Sequence, residues 1–201
     1  MKQSEFFDSL AEKWDAMERE DIGERLVRVV TAGAVCCGHR VLDVGTGTGI
    51  LIQYLLDAVK KDGHILAMDT SSGMLQMAKR KGFPANVEFL QADIQESGLP
   101  ESRYDRVFCN AVFPHFDDKL KALSEIRRLL KPGGRLVISH PIGREAVNNL
   151  HRDAGGVVAE DRVPPAEVMI PLLETTGFAG IRIIDEPSFH LVLSDKPAVD
   201  C

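Results

Sequence analysis

Arg40-Val41-Leu42-Asp43-Val44-Gly45-Thr46-Gly47-Thr48-Gly49-Ile50 runs from a short apolar stretch through three alternate glycines into a helical pattern. That is the order of a strand, a turn made of little but backbone, and the start of a helix. Glycine tolerates positive φ and has no Cβ. At Gly45, Gly47 and Gly49 a ligand can therefore lie directly against the main chain, where the first N–H groups of a helix point outward. A nucleotide-like cofactor suits such an edge.

A glycine-rich turn after a strand also occurs as a plain tight turn and in dinucleotide-binding sheets, so spacing has to separate them. The dinucleotide fingerprint wants glycine at its first, third and sixth positions. Counted from Gly45 the sixth position is Ile50, and the third glycine falls one residue early.

Working outward, two helical patterns precede the turn, at 4–14 and 22–35, and neither contains a strand signal. After it, apolar stretches recur at 65–68, 87–90, 106–109, 135–139, 181–184 and 189–193, with helical patterns at 50–60, 72–81 and 119–130 between them. Strands alternating with helices imply a mostly parallel sheet. The helix at 119–130 is expected to stop at Lys131-Pro132-Gly133-Gly134, and a helical stretch at 172–176 to stop at Gly177-Phe178. Only Glu186-Pro187-Ser188 separates the two last strands, too few residues for a right-handed crossover, so that pair is an antiparallel hairpin. The least regular region, 141–165, is rich in glycine, proline and charge. It is expected to form a helix near 145–152 and a loop through Gly155-Gly156 that sits over the site as a lid.

These patterns predict an α/β fold: a Rossmann-like, doubly wound, seven-stranded sheet, mostly parallel with a reversed last strand, in three α/β/α layers. The 201 residues make one domain, 1–201, with an N-terminal helical cap at 1–36 and a lid insert at 141–165. A formal net charge of -6 argues against the broad basic surface that tight nucleic-acid binding requires. The first ten residues carry Lys2, Glu5 and Asp8 rather than a basic region and an apolar run, and no segment approaches membrane-spanning length. The expectation is a soluble cytoplasmic protein with neither nucleic acid nor membrane as partner; nothing in the sequence indicates its oligomeric state. The cysteines, Cys36, Cys37, Cys109 and Cys201, show no C-x-x-C pair and no zinc spacing, and a bridge between adjacent Cys36 and Cys37 would be strained. Reduced thiols are expected, with Cys109 buried and inert in its apolar strand.

Open α/β sheets bind ligands outside the carboxyl ends of their strands, which singles out strand-end residues. Asp69 closes the stretch 65–68, about twenty residues beyond the glycines, where a carboxylate accepts both hydroxyls of a ribose; a helix N-cap is its plainer reading. His115 follows the fourth strand in Phe113-Pro114-His115-Phe116, His140 follows the fifth in Ile138-Ser139-His140-Pro141, and His151 falls in the lid helix. These imidazoles read as a base with its orienting partners, or as a site for zinc or a similar ion completed by Glu160 or Asp161. Nothing in their spacing demands the metal, and His151 reads equally as a solvated helix residue.

Asp43 and the G-x-G-x-G order resemble the first motif of the class I S-adenosylmethionine-dependent methyltransferases. The run Ala122-Leu123-Ser124-Glu125-Ile126-Arg127-Arg128-Leu129-Leu130-Lys131-Pro132-Gly133-Gly134-Arg135-Leu136-Val137-Ile138 resembles the ubiquinone/menaquinone-biosynthesis-like branch of its small-molecule enzymes. The resemblance covers 41–138 and only in outline the rest. It implies further roles. Gln91-Ala92-Asp93-Ile94 resembles the third motif, so Asp93 or a neighbouring amide would read the adenine amino group beside apolar Ile94, although Asp93 also suits a plain turn. Met74, in Asp69-Thr70-Ser71-Ser72-Gly73-Met74-Leu75, looks like the residue that packs on the adenine, or else fills the core. Asp105-Arg106-Val107-Phe108-Cys109-Asn110-Ala111-Val112 resembles the fourth motif, which puts Asn110 beside the methionine moiety and the reactive methyl. Phe6, Phe7 and Trp14 are similar to the aromatics of an N-terminal helix that closes over the cofactor, or form an amphipathic face.

The cofactor set implied for S-adenosylmethionine is thus Asp43, Gly45, Thr46, Gly47, Gly49, Asp69, Thr70, Met74, Asp93, Ile94 and Asn110. The activity implied is in-line methyl transfer to a small-molecule acceptor, with His140 and His115 as candidate catalytic residues. No metal is assigned; His115, His140 and His151 are the one speculative set. A non-catalytic sensor or scaffold that binds S-adenosylmethionine is the second reading. A nicotinamide-dependent oxidoreductase is the third, disfavoured by the early third glycine and the terminal hairpin. Quinone precursors, phenols, amines, thiols and metal-bound species all remain open as acceptors.

Overall fold

β1 (Arg40–Val44), β2 (His64–Asp69), β3 (Val87–Gln91), β4 (Tyr104–Asn110), β5 (Leu130–His140), β6 (Ala179–Glu186) and β7 (Phe189–Asp195) form one sheet in the order β3-β2-β1-β4-β5-β7-β6. The computed structural model describes residues 2–17 and 19–198; Cys201 lies outside the described residues. β1 to β5 are mutually parallel, and β7 runs antiparallel to both β5 and β6. The reversed last strand is the one expected from the short 186–188 link.

Side chains alternate across this sheet with a period of two. Val41, Phe108 and Val137 face one layer, and Leu42, Val107 and Leu136 face the other. The first layer is built by α2 (Ile22–Ala32), through Leu26, Val29 and Val30, and by α3 (Ile52–Val59), through Ile52, Leu55 and Val59. The second is built by α5 (Lys119–Leu129) and α7 (Ala166–Thr175), whose Leu123, Ile126, Met169 and Leu173 are fully buried. Burial on both faces is why the central strands read as nearly continuous apolar runs. Cys109 lies in this interior, where burial pushes its thiol up and keeps it protonated.

Several boundaries depart from the sequence reading for local reasons. The first helical pattern is α1 (Gln3–Leu10) followed by a tighter 3-10 stretch, Ala11–Met17. Lys131-Pro132-Gly133-Gly134 does not form a loop, because β5 begins at Leu130. Pro132 sits where the register with β4 shifts, and Gly133 and Gly134 instead bond through their N–H and C=O to Lys196, at 2.9 and 2.8 Å. α7 begins at Ala166, well before 172, and carries Pro171 inside it: Met169 and Leu173, four residues apart, anchor one face in the core and override the breaker. α6 spans Arg144–Ala154, and none of 141–165 lines the crevice at the carboxyl ends of β1 and β4 among the described residues; α4 (Ser72–Arg80) rests on β2 and β3.

The N-terminal helices are fastened to the sheet by polar ties around a close approach. Arg106, on β4, donates from Nε to the Gly33 carbonyl at 2.7 Å and from a terminal nitrogen to that of Ala34 at 2.9 Å. Gly33 ends α2 in right-handed geometry, and a Cβ there would stand 2.6 Å from the Phe108 ring. The fit is therefore steric rather than conformational. Farther along α2, Arg28 makes two 2.8 Å bonds to Glu186 while stacking 4.0 Å from the centre of the Phe189 ring.

One cross-strand pair breaks the apolar rule. His140 on β5 faces His190 on β7, with ring centres 5.8 Å apart, and all four ring nitrogens lie buried without a hydrogen-bond partner among the described residues. His190 Nδ1 is 3.4 Å from Asp185 Oδ1, near enough for attraction but without hydrogen-bond geometry. Burial first, then the nearby His190, His115 and His151, hold His140 well below the usual imidazole range; burial likewise lowers His190.

Two outcomes follow. Gly33→Ala should lower stability by about 1–3 kcal/mol through overpacking against Phe108, read from the urea midpoint at unchanged m-value. Below about pH 6.5 the unfolded chain takes up protons that the folded His140 refuses, so folded stability contributed by this residue is present above that pH and lost as pH falls. His140→Leu should accordingly gain on the natural protein as the urea midpoint is followed from pH 7.5 down to 5; parallel curves would refute the assignment.

Candidate functional site

The chain crosses from β1 to β2 on one side of the sheet and reaches β4 on the other, so a crevice opens at the carboxyl ends of β1 and β4. It is a cleft partly open to solvent, the kind of concave place in which cofactors bind. Its floor is the turn after β1. Gly45, Gly47 and Gly49 have φ of +67°, +56° and +82°, values that side chains with a Cβ rarely adopt. The three are not equivalent. A Cβ on Gly47 would meet nothing within 4 Å, because the space belongs to the crevice. On Gly45 it would collide with Val112 at 2.3 Å, and on Gly49 it would press on Ile52, Phe83 and Ala78. Gly45 and Gly47 line the crevice; Gly49 stands behind it as a packing residue.

Asp69, at the end of β2, faces the same space. Its Oδ2 accepts the Gly47 N–H and its Oδ1 the Ser71 N–H, both at 2.8 Å, so it organises the turn while each oxygen keeps a lone pair for a ligand. Burial raises its carboxyl, and the amides of Ser71, Gly47 and Thr70 counteract that. Ser71, rather than Asp69, caps α4, accepting the Met74 N–H on its hydroxyl at 3.0 Å. Asp43 does not line the crevice. Its Oδ2 accepts the Thr46 hydroxyl at 2.7 Å, its Oδ1 is buried without a partner, and burial pushes its carboxyl up to about 7. It steadies Thr46, which does line the crevice, from behind.

Thr70, Met74, Asp93, Ile94 and Asn110 all border the crevice as expected. Asp93 also accepts the Gln95 N–H at 2.8 Å, so the turn role and the site position coexist. Ser139 donates its hydroxyl to Asn110 Oδ1 at 2.8 Å, leaving the amide NH₂ as the free end. Ala111 follows at φ +57°, a strained value for alanine, tied down by its N–H to the Ser139 carbonyl at 2.7 Å.

The roof is made by α1 and the 3-10 stretch after it; α2 packs against the sheet instead. Phe7 and Trp14 line the crevice, their rings 5.8 Å apart, and Phe6 does not. Asp8 holds α1 in place by accepting the Ser71 hydroxyl at 2.6 Å and the Gly73 N–H at 2.8 Å, and Asp15 pairs with Lys81 at 2.8 Å and accepts from the Thr48 hydroxyl. Gln3, which also lines the crevice, was not singled out from sequence, although it lies four residues before Phe7 on the same helical face.

The histidines divide. His115 borders the crevice, its ring 5.0 Å from Phe7. His140 closes β5 at the expected edge but is fully buried and does not reach the crevice. His151 is a buried α6 residue rather than a solvated one, its ring 4.8 Å from that of His115. Asp161 occupies one nitrogen of each: Oδ2 lies 2.7 Å from His115 Nδ1, and its backbone carbonyl 3.0 Å from His151 Nδ1. Among the described residues no group of three or more His, Cys, Asp or Glu is arranged to hold a metal ion. His190 went unnoticed in the sequence, which offers no mark of a partner strand's register.

Comparison with known proteins places the chain in a family and a fold. The family described as "Methyltransferase domain" matches residues 42–138. The ubiquinone/menaquinone biosynthesis C-methyltransferase of Vibrio campbellii is 34% identical over 145 residues, which cover 68% of this chain and 56% of the relative; the chain thus spans little more than half of the curated relatives it matches. In fold it is similar to a S-adenosylmethionine-dependent methyltransferase from Aquifex aeolicus, with a TM-score of 0.75 at 24% identity over 98% of this chain and 100% of that one. It is also similar to phosphoethanolamine N-methyltransferase 2 of Haemonchus contortus in complex with S-adenosyl-L-methionine, with a TM-score of 0.72 at 18% identity over 87% and 52% of the two chains. From the glycine turn through β5, this chain belongs to the class I S-adenosylmethionine-dependent methyltransferase family.

Proposed function

We propose that the chain binds S-adenosylmethionine in the crevice between β1 and β4 and transfers its methyl group to a small-molecule acceptor. The observation that carries this reading is the bare backbone at Gly47 facing open space, bonded to the Asp69 carboxylate that faces it too. Gly45, Gly47 and Thr46 offer the main-chain edge, Asp69 and Thr70 the ribose contacts, and Asn110 a free amide for the amino-acid end. Met74 and Ile94, each 2% exposed, give an apolar wall for the base, and Asp93 stands beside it for the amino group.

When bound, the sulfonium cofactor supplies an electrophilic methyl group. What the protein adds is alignment and dryness. Phe7 and Trp14 roof the crevice and exclude water, and the strained Ala111 turn fixes Asn110 against the floor. His115 is the one imidazole that borders the crevice and is positioned to take a proton from an acceptor that must lose one. Such a group favours an enzyme over a sensor that only binds. A small acceptor fits a roof made of one short helix, and the absence of Lys or Arg from the described lining disfavours nucleic acid. Among the described residues no helix is long and apolar enough to cross a membrane. The free thiols of Cys36, Cys37 and Cys109 fit a reducing, cytoplasmic setting.

Asp69→Ala should weaken binding of S-adenosylmethionine and of S-adenosylhomocysteine by about 10- to 100-fold, the worth of hydrogen bonds to a charged group. Titration calorimetry of the variant against the natural chain reads it directly, and equal affinities would overturn the assignment.

A further inference from the structure

His115 is held by a residue far away in sequence, and the chemistry of that contact fixes which nitrogen is free. A carboxylate only accepts hydrogen bonds, so the 2.7 Å contact between Asp161 Oδ2 and His115 Nδ1 requires the proton to be on Nδ1. In the neutral ring Nε2 then carries a bare lone pair, and among the described residues it is neither bonded nor sealed in the interior. The same Oδ2 accepts the Gln3 side-chain amide at 3.0 Å, so the carboxylate that orients the imidazole also receives the roof helix. Asp161 is itself set by its backbone: its N–H donates to the Val158 carbonyl at 3.0 Å, and its own carbonyl receives His151 Nδ1.

The charge around the crevice narrows the acceptor. Asp69, Asp93 and Asp117 line it, no Lys or Arg does so among the described residues, and Lys119, two residues beyond Asp117, spends its ammonium on the carbonyls of Pro114 and Phe116 at 3.1 and 3.0 Å. An anionic acceptor would enter against three carboxylates with no partner.

We propose that Asp161 is a positioning residue that presents His115 Nε2 to the crevice as the proton acceptor for an uncharged, protic nucleophile such as a phenol. This rests on the methyl-transfer reading above. The acceptor's O–H proton passes to Nε2 as its oxygen electron pair forms the bond to the methyl carbon, while the carbon–sulfur bond breaks and its pair stays on sulfur. His115 becomes an imidazolium stabilised by the Asp161 carboxylate, as in an Asp-oriented histidine base generally, and later returns the proton to water.

The test is a long-range ¹H–¹⁵N correlation spectrum of the histidine rings in the full chain, recorded alone and with S-adenosylhomocysteine, the His115 peaks being identified by their loss in His115→Gln. The expected pattern is a protonated Nδ1 and a bare Nε2 in the natural protein, and a mixed or reversed pattern in Asp161→Asn, whose amide can donate as well as accept. Adding 4-methoxyphenol should shift the Nε2 resonance, and benzoate should not. A protonated Nε2 in the natural protein, an unchanged pattern in Asp161→Asn, no response to the phenol, or an equal response to benzoate each overturns the proposal. Beyond that peak assignment, reading the tautomer in the natural protein needs no cofactor. Calorimetry with S-adenosylmethionine on the same sample separates the two claims: absent binding defeats the methyl-transfer reading, whereas the tautomer reports on Asp161 alone.

Discussion

The hydrogen bond from the Gly47 amide to Asp69 is the constraint on which the site depends. It joins the turn after β1 to the end of β2, two neighbouring strands whose carboxyl ends would otherwise carry independent loops. Because Gly47 adopts positive φ and leaves its Cβ position empty, the bond can form without blocking the space in front of it. Because Asp69 uses one lone pair per oxygen on backbone, it remains able to accept from a ligand. The Thr46 amide adds a second rung, donating to the Met68 carbonyl at 2.9 Å. A single geometry thus ties the two strands together and keeps the crevice in front of them open.

Behind this floor the protein tolerates polar groups that a pure packing argument would remove. Asp43 is fully buried with one oxygen unpaired, and His140 faces His190 with four idle nitrogens. Both features sit at the carboxyl ends of strands, where the layer of apolar side chains gives way to the crevice. Their opposite titration keeps the interior uncharged over different ranges. Raising pH toward 7 works against the carboxyl of Asp43, and lowering it below 6.5 works against the histidines.

Much of this was legible in the chain itself. The apolar runs gave the parallel core, and the three residues between the last strands dictated the reversed edge. Asp69, Met74, Asp93 and Asn110 border the crevice because strand-end position and local motif are short-range properties. What local pattern does not carry is direction. Gly49 and Asp43 belong to the same motif as Gly47, yet one packs against Ala78 and the other points into the interior. His140 ends β5 as His115 comes soon after β4, but cross-strand pairing with β7 turns His140 inward. The ties between Gln3, His115 and Asp161 join three distant segments, and no spacing rule reaches that far. Pro171 and the Pro132-Gly133-Gly134 run misled in the other way, as long-range packing overruled strong local breakers.

The roof helix α1 has no buried residue of its own. Phe7 packs it edge-to-face on Trp14 and His115, and the rest is held by polar contacts replaceable by water, chiefly those of Asp8 with Ser71 and Gly73 and of Gln3 with Asp161. Such an element detaches at a small fraction of the free energy that unfolds the sheet. Peeling back this one short segment uncovers the crevice while leaving the rigid turn beneath it untouched.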